Sequence, residues 1–164
     1  MVREYWDNAS FEDFRKEFLP SYSGFRRDVG FNAKSCWEAN LARVLLYCER
    51  KFDIDVPLEL EIPEELRYLF RDGKAILFID FISTTKDGRI RAYEISAHSF
   101  ENPKGRAKLE LLSQQYPELN IQGVDKHFYR RLEKTFKDKI NADSRFVAWE
   151  DSRYNIRTNP QNFA

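Results

Sequence analysis

A tight hairpin between two apolar segments is the feature that most constrains how this chain can fold. The segment KAILFIDFIST is apolar almost throughout, and KDGRIRAYEIS follows it through the dipeptide Asp87-Gly88. An Asp-Gly pair between strand-like segments is a strong short-range signal for a β-hairpin, and a nearly continuous apolar run is typical of a strand covered on both faces. The sequence therefore predicts two adjacent antiparallel strands near the centre of a sheet.

Each predicted strand carries one acidic residue among apolar neighbours, Asp80 in the first and Glu94 in the second. With the turn at Asp87-Gly88, residues whose numbers sum to about 175 face each other, so Asp80 lies within one residue of the position opposite Glu94. Two like charges about 4 Å apart repel by about 4 kcal/mol at an effective dielectric of about 20. Since Mg²⁺ takes one or two carboxylates together with water and phosphate oxygens, a bound metal explains both acids at once. A solvent-facing Glu94 and a bulge at Asp80 are the alternatives.

The segments around the hairpin predict the other elements of a mixed central sheet flanked by helices. Ser35 is placed to cap a helix that carries Glu38 at the edge of its apolar face, and Pro57 marks the alternating segment IDVPLELEI as an edge strand. The helical segments KGRAKLELLSQQYPE and DKHFYRRLEKTFKDKI enclose the short strand LNIQGVD, a first helix begins near Ser10, and PSYSGFRRDVGFNAK is predicted as a loop. This order of elements predicts an α/β fold.

Length and composition narrow the class of protein. A chain of 164 residues with 42% apolar residues is long enough for one domain, which we expect to span residues 1–164. No apolar run approaches the roughly 18 residues of a membrane span, and the start lacks the pattern of a secretory signal, so we expect a cytoplasmic protein without membrane contact. Cys36 and Cys48 fall on one predicted helix about 18 Å apart, so we expect reduced core thiols.

Charge is distributed unevenly along the chain. The 27 basic and 27 acidic residues cancel, which argues against a protein that holds nucleic acid by overall charge alone. Residues 101–140 nevertheless carry nine Lys or Arg against six Asp or Glu, residues 22–50 carry five against three, and residues 51–100 carry seven against ten. Two basic segments therefore flank an acidic one. Solvated surface charge is the alternative to a binding surface.

Two segments point to a known family. GFRRDVGFNAKSCWEANLARVL contains the block W-E-A-N-L-A-R, and NPKGRAKLELLSQQYPELNIQGVD contains helix lysines followed by Y-P-E. Together with the order of a helix acid, an Asp between apolar residues, a hairpin and a Glu, these segments resemble phage-encoded endonucleases of the PD-(D/E)xK nuclease superfamily. Homing, resolvase and very-short-patch-repair-like enzymes are among the relatives. The resemblance runs from about Gly24 to Tyr129.

The resemblance implies a single nuclease-like domain with a restriction-endonuclease-like core at about residues 24–140. It implies that Glu38, Asp80 and Glu94 are catalytic, and that Asp80, Glu94 and the carbonyl of Ile95 hold Mg²⁺. Mn²⁺ is an alternative metal, and no organic cofactor is implied. We expect from it a phage-encoded endodeoxyribonuclease that acts on DNA in the host cell and forms a homodimer, because two strands need two active sites.

Two positions depart from the family pattern. Ile79 stands where Pro is common, which is structurally mild, but Ser96 stands where the motif lysine is expected. That lysine is thought to position or deprotonate the attacking water, and the loss of such an electrostatic group costs about a hundredfold to a thousandfold in rate. Lys108 matches the family's helix lysine and is the candidate catalytic replacement, with a solvated surface lysine as the alternative.

Basic residues near the motifs are candidates for phosphate contacts, which position DNA without reading its sequence. These residues are Arg26, Arg27, Lys34, Arg43, Lys104 and Arg106. The two Cys and two His are too dispersed for a zinc site, although His98 is a candidate general base or metal neighbour. The leading hypothesis is therefore a metal-dependent DNA endonuclease. The alternative is a catalytically weakened or inactive nuclease-fold protein that binds DNA or serves in assembly.

Overall fold

The computed structural model describes residues 23–70, 73–96 and 102–151. The chain divides into two compact units, which we call the first unit (residues 1–44 and 135–164) and the second unit (residues 45–134). Each is described by itself. The helix predicted from Ser10 lies outside the described residues, as does His98.

The first unit contains a short hairpin and the start of a helix. Strands β1 (Gly24–Arg26) and β2 (Phe31–Ala33) pair antiparallel, and helix α1 (Cys36–Tyr47) follows, its last residues lying in the second unit. The prediction of a loop before this helix is wrong for β1 and β2, because strands of three residues are too short for an alternating pattern to show.

The prediction that Ser35 caps α1 is confirmed by a hydrogen bond. The backbone N–H of Glu38 donates to Oγ of Ser35 at 3.1 Å, which satisfies one of the free amides at the start of the helix. Most of the helix is buried, including Ala39, Leu41 and Ala42. Cys48 lies just beyond its end and is exposed, so the expectation of two core thiols holds for Cys36 alone.

The second unit is built on a mixed four-stranded sheet. Its strands lie in the order β3-β4-β5-β6, with β3 to β5 antiparallel and β6 parallel to β5. Their bounds are β3 Lys51–Glu61, β4 Lys74–Thr84, β5 Ile90–Ile95 and β6 Gln122–Val124. The α/β class with a mixed sheet and flanking helices is confirmed, and so is the edge position that Pro57 indicated for β3.

The hairpin between β4 and β5 has the predicted turn, with a register one residue away from the predicted one. Gly88 has a φ of +84°, a conformation in which a Cβ would be strained. Phe81 faces Tyr93 and Ile82 faces Ala92, so the paired numbers sum to 174. Continuing this pairing by one residue places Asp80 directly opposite Glu94.

Helices α2 (Pro103–Gln115) and α3 (Lys126–Ala142) follow the meander, and short 3-10 turns lie at Glu64–Leu69 and Pro117–Leu119. The side chain of Asn102 caps α2 by accepting the N–H of Lys104 at 2.9 Å. One apolar cluster joins α2 to the sheet. It contains Leu60, Ile62, Phe70, Ile79, Ala92, Ala107, Leu111, Leu112 and Leu119.

The prediction that β4 is covered on both faces is wrong for its first half. Ile76 is 67% exposed and Phe78 is 55% exposed, whereas Ile79 and Phe81 are fully buried. An apolar run does not say by itself whether both faces of a strand are packed. Within the described part of the chain, no helix is both long enough and apolar enough to cross a membrane.

Candidate active site

The predicted acid pair is brought together in the second unit by the β4–β5 pairing. Oδ2 of Asp80 accepts the backbone N–H of Ile95 at 2.7 Å, and the N–H of Asp80 lies 3.4 Å from Oε2 of Glu94. Each carboxylate therefore reaches the backbone of the opposite strand. Glu94 is buried and Asp80 is half-buried, so the pair lies in a partly dehydrated setting where charge interactions are strong.

Lys108 on α2 contacts this pair. Its Nζ forms an ion pair with Oε1 of Glu94, and the lysine side chain is only 23% exposed. The helix is held in place by its buried neighbours Ala107 and Leu111, which belong to the apolar cluster. The alternative of a solvated surface lysine is therefore not what this structure shows.

Ser96, which stands where the motif lysine is expected, continues the strand pairing. Its backbone N–H donates to the carbonyl of Val124 at 3.0 Å, one step beyond the last residue of β5. The short hydroxyl side chain of serine carries no charge to place beside the acids. The cation near Glu94 comes from α2 instead.

Burial and a like charge raise the pKa of Glu94 above its ordinary value. Loss of solvation is the larger cause, and the negative charge of Asp80 adds to it, while the ammonium of Lys108 acts in the opposite direction. An acid that is costly to ionise without a nearby cation suits a site whose charge balance is completed by a ligand.

The donor atoms of this pair fit a hard cation. Two carboxylates and the strand carbonyl at Ile95 are oxygen donors, of which Mg²⁺ needs only one or two from the protein. Among the described residues, no three His, Cys, Asp or Glu side chains are grouped closely enough to hold a metal ion. The residues therefore fit a magnesium site in which two carboxylates are ligands and other oxygens complete the coordination. They do not fit a site in which protein side chains supply every ligand.

Glu38 belongs to the first unit and takes part in capping α1. Its Oε2 accepts the backbone N–H of Lys34 at 2.7 Å, and the side chain of Lys34 lies 3.8 Å away from Oε1. These contacts account for its burial in structural terms. The prediction that Glu38 meets Asp80 and Glu94 stays a prediction.

Two of the predicted phosphate-binding arginines form a buried network with carboxylates. Arg26 and Arg43 are fully buried, and both donate to Glu150, at 2.9 Å and 2.7 Å respectively. Arg43 also pairs with Asp28 at 2.7 Å. A guanidinium with no exposed surface does not reach a phosphate, so the predicted phosphate contacts of Arg26 and Arg43 are corrected to internal ion pairs.

The sequence reasoning missed Glu150 because nothing in the local pattern marks it. It lies 124 residues from Arg26 in the chain, and its backbone is also fixed by Asn40, which donates to the carbonyl of Glu150 at 2.7 Å. The guanidinium of Arg26 also donates to the backbone carbonyl of Gly24 at 2.7 Å. The sequence therefore offers no basis for predicting that Arg26 and Arg43 are buried, because their partner Glu150 is distant in the chain.

The other four predicted phosphate contacts keep accessible side chains. Arg27 and Lys34 are exposed in the first unit, where Arg27 lines a cleft of about 440 Å³ together with Ser144 and Arg145. In the second unit, Lys104 and Arg106 are exposed on the same helix as Lys108. These four side chains are exposed, and their contacts with phosphate stay a prediction.

No protein-family model, curated protein or solved structure matches this chain.

Proposed function

We propose that this chain is a metal-dependent DNA endonuclease that hydrolyses phosphodiester bonds. The observation that carries the proposal is the placement of Asp80 opposite Glu94 on adjacent strands, with Lys108 paired to Glu94. The element order and the mixed sheet support a restriction-endonuclease-like core, as the resemblance of the sequence implies.

In this proposal Asp80, Glu94 and the carbonyl of Ile95 hold Mg²⁺ or Mn²⁺. When bound, the metal would supply Lewis-acid chemistry, polarising a phosphoryl oxygen and activating water for attack. Asp80 and Glu94 orient the reacting groups through their fixed strand positions. Lys108 supplies the positive charge that the serine at the motif position lacks, and so offsets charge that develops on the phosphate.

Exposed cations on the same helix support DNA as the substrate. Lys104 is exposed and lies four residues before Lys108, on the same side of α2, so a phosphate backbone at the acid pair meets further positive charge there. Arg106 is exposed too, but it lies two residues before Lys108 and so on the other side of the helix. The proposal includes a homodimer, since cutting both DNA strands takes two such sites. It also includes a phage-encoded protein that acts in the host cell.

A second candidate is a nuclease-fold protein with weakened or no catalysis that binds DNA. Ser96 favours it, because the motif position carries no cation. The ion pair between Lys108 and Glu94 is also compatible with a purely structural role, in which the lysine neutralises a buried acid.

Plasmid cleavage tests the proposal. Supercoiled DNA is incubated with the full chain in Mg²⁺, in Mn²⁺ and in EDTA, and then with Asp80→Asn and Glu94→Gln. We expect nicked or linear products in either metal, none in EDTA, and a loss of at least about a hundredfold in both variants. Glu110→Gln, an exposed acid on α2, is the matched control and should cut normally.

The outcomes separate the two candidates. Full cutting by both acid variants overturns the endonuclease proposal. Binding of DNA by the wild-type chain without cleavage in either metal selects the weakened or inactive protein instead.

A further inference from the structure

The first half of α3 presents a surface made of basic side chains alone. Within the nine residues from Lys126 to Lys134, every exposed side chain is Lys, Arg or His. We call this surface the α3 stripe; its members are Lys126, His127, Arg130, Arg131 and Lys134. The one acid of this segment, Glu133, is only half exposed, so cations outnumber acids at the surface of the stripe.

Helical geometry gathers these side chains on one side. Lys126, Arg130 and Lys134 follow at intervals of four residues, which places them in one row with about 6 Å of axial rise between neighbours. His127 and Arg131 form a second row beside the first. At about 100° per residue all five fall within an arc of about 140°, along roughly 12 Å of helix.

The stripe is unfavourable for the helix that carries it. Like charges at a spacing of four residues destabilise a helix. The first turn of α3 contains no acidic residue, although Asp125 just before it caps the helix by accepting the N–H of Phe128 at 2.8 Å. Within the described chain, no carboxylate forms an ion pair with Lys126, Arg130 or Lys134. An external polyanion would relieve the repulsion among these side chains.

The stripe begins three residues after the strand position that pairs with Glu94. Gly123 on β6 pairs with Glu94, and Lys126 follows three residues later. The first turn of α3 is fixed to the neighbouring strand by Phe128, whose ring centre lies 6.5 Å from that of Tyr93. Tyr93 and Glu94 are consecutive residues of β5 and point to opposite faces of the sheet, so Phe128 packs on the face opposite to the Glu94 carboxylate.

The apolar side of α3 decides between two kinds of polyanion. An amphipathic helix that inserts into a membrane surface needs its apolar face free to enter the lipid. Here Tyr129 and Ile140 are buried, at 6% and 0% exposure, and Phe128 packs against Tyr93. The apolar face is used inside the protein, which favours a ligand recognised by charge alone, such as the backbone of duplex DNA.

We infer that the α3 stripe is a sequence-independent interface for the phosphate backbone of duplex DNA. This inference rests on the proposed function, because it takes the DNA bound by the stripe to be the substrate of the enzyme. The stripe was absent from the residues that the sequence resemblance indicated, although the basic excess of residues 101–140 was its signal.

The test measures binding and its dependence on salt. A fluorescein-labelled duplex of about 20 base pairs is titrated with the full chain in EDTA at several salt concentrations. The variant K126Q/R130Q/K134Q should bind at least about tenfold more weakly, and the slope of log K against log salt should fall by about 2 to 3, near 0.9 per lost phosphate contact. Circular dichroism and a thermal melt verify that the variant folds.

A charge-matched control separates a specific surface from net charge. K51Q/K86Q/R89Q removes three exposed cations elsewhere in the second unit, and it should bind within about twofold of wild type. Equal weakening by both triple variants overturns the inference, as does unchanged binding by the α3 variant. Stripe-dependent binding to vesicles rich in phosphatidylserine, with no binding to duplex, overturns it in favour of a membrane.

Cleavage measured in parallel keeps this inference distinct from the endonuclease proposal. Stripe-dependent binding without cleavage in Mg²⁺ or Mn²⁺ supports the interface and contradicts the enzyme. Cleavage by the wild type with unchanged binding and cutting by the α3 variant supports the enzyme and contradicts the interface.

Discussion

Lys108 on α2 and Glu94 on β5 form an ion pair although 14 residues separate them in the chain. The pair places one positive charge against two acids, because Glu94 stands opposite Asp80. The cation beside the acids is therefore Lys108 of the helix, whereas Ser96, the strand residue after Ile95, carries no charge. This relationship makes the role of Lys108 testable by itself.

Replacing Lys108 tests whether it acts in catalysis. We expect Lys108→Met to lower the rate of plasmid cleavage by about a hundredfold to a thousandfold, because charge on the reacting phosphate is no longer offset. Lys108→Arg should recover part of the rate. Lys86→Met, which removes an exposed lysine paired with Glu49, should cut like wild type. A variant K108M with wild-type cleavage and a normal melting temperature would show that the lysine only neutralises Glu94.

The titration of Glu94 tests the electrostatics of the pair. Carbon-detected NMR of the side-chain carboxyl should show a pKa above the ordinary value for Glu, because burial and the charge of Asp80 both oppose ionisation. Asp80→Asn should lower this pKa by removing the like charge. Lys108→Met should raise it, because the lysine favours the ionised form. Movement of the pKa in the same direction in both variants would contradict this account.

The same shift gives a sign for the dependence of stability on pH. The pKa of Glu94 is higher in the folded chain than in the unfolded chain, so its contribution to the free energy of unfolding is greatest at low pH. This contribution falls as the pH rises through the unfolded and then the folded pKa. Denaturant titrations at acidic and neutral pH measure this effect. From acidic to neutral pH, the free energy of unfolding should fall less in Asp80→Asn than in wild type, because the pKa of Glu94 is raised less without the charge of Asp80.

The sequence was sufficient where local chemistry decides the structure. Asp87-Gly88 identified the turn, Ser35 the helix start and Pro57 the edge strand, because turn, cap and ladder preferences depend on neighbouring residues. The predicted register differs from the observed one by one residue, because the composition of a turn does not determine the number of residues in its loop.

Long-range partners explain what the sequence did not predict. The burial of Arg26 and Arg43 depends on Glu150, which is more than a hundred residues away. The exposure of Phe78 depends on which elements pack on β4, and an apolar pattern carries no information about that. Lys108 was identified as a candidate from the family resemblance, whereas its contact with Glu94 became visible only in the fold.

The two cysteines should differ strongly in reactivity. Burial, with the negative charge of Glu150 as a further cause, raises the pKa of Cys36 to about 12, so it stays a protonated thiol at any ordinary pH. Cys48 is exposed. A thiol reagent at about pH 8 should therefore label Cys48 rapidly and Cys36 only after unfolding. The variant Cys48→Ser is the control, and rapid labelling of it in the native state would contradict the buried position of Cys36.

Removing Glu150 should destabilise the chain more than any surface change. Glu150→Gln leaves the guanidinium groups of Arg26 and Arg43 buried without the carboxylate that they share, and breaking a buried ion pair in this way costs about 3–5 kcal/mol. Denaturant unfolding followed by tryptophan fluorescence measures the change. Glu49→Gln removes the carboxylate of an exposed ion pair and should cost at most about 1 kcal/mol. Equal costs for the two variants would contradict this account, because they would show that the shared carboxylate of Glu150 stabilises the fold no more than an exposed ion pair does.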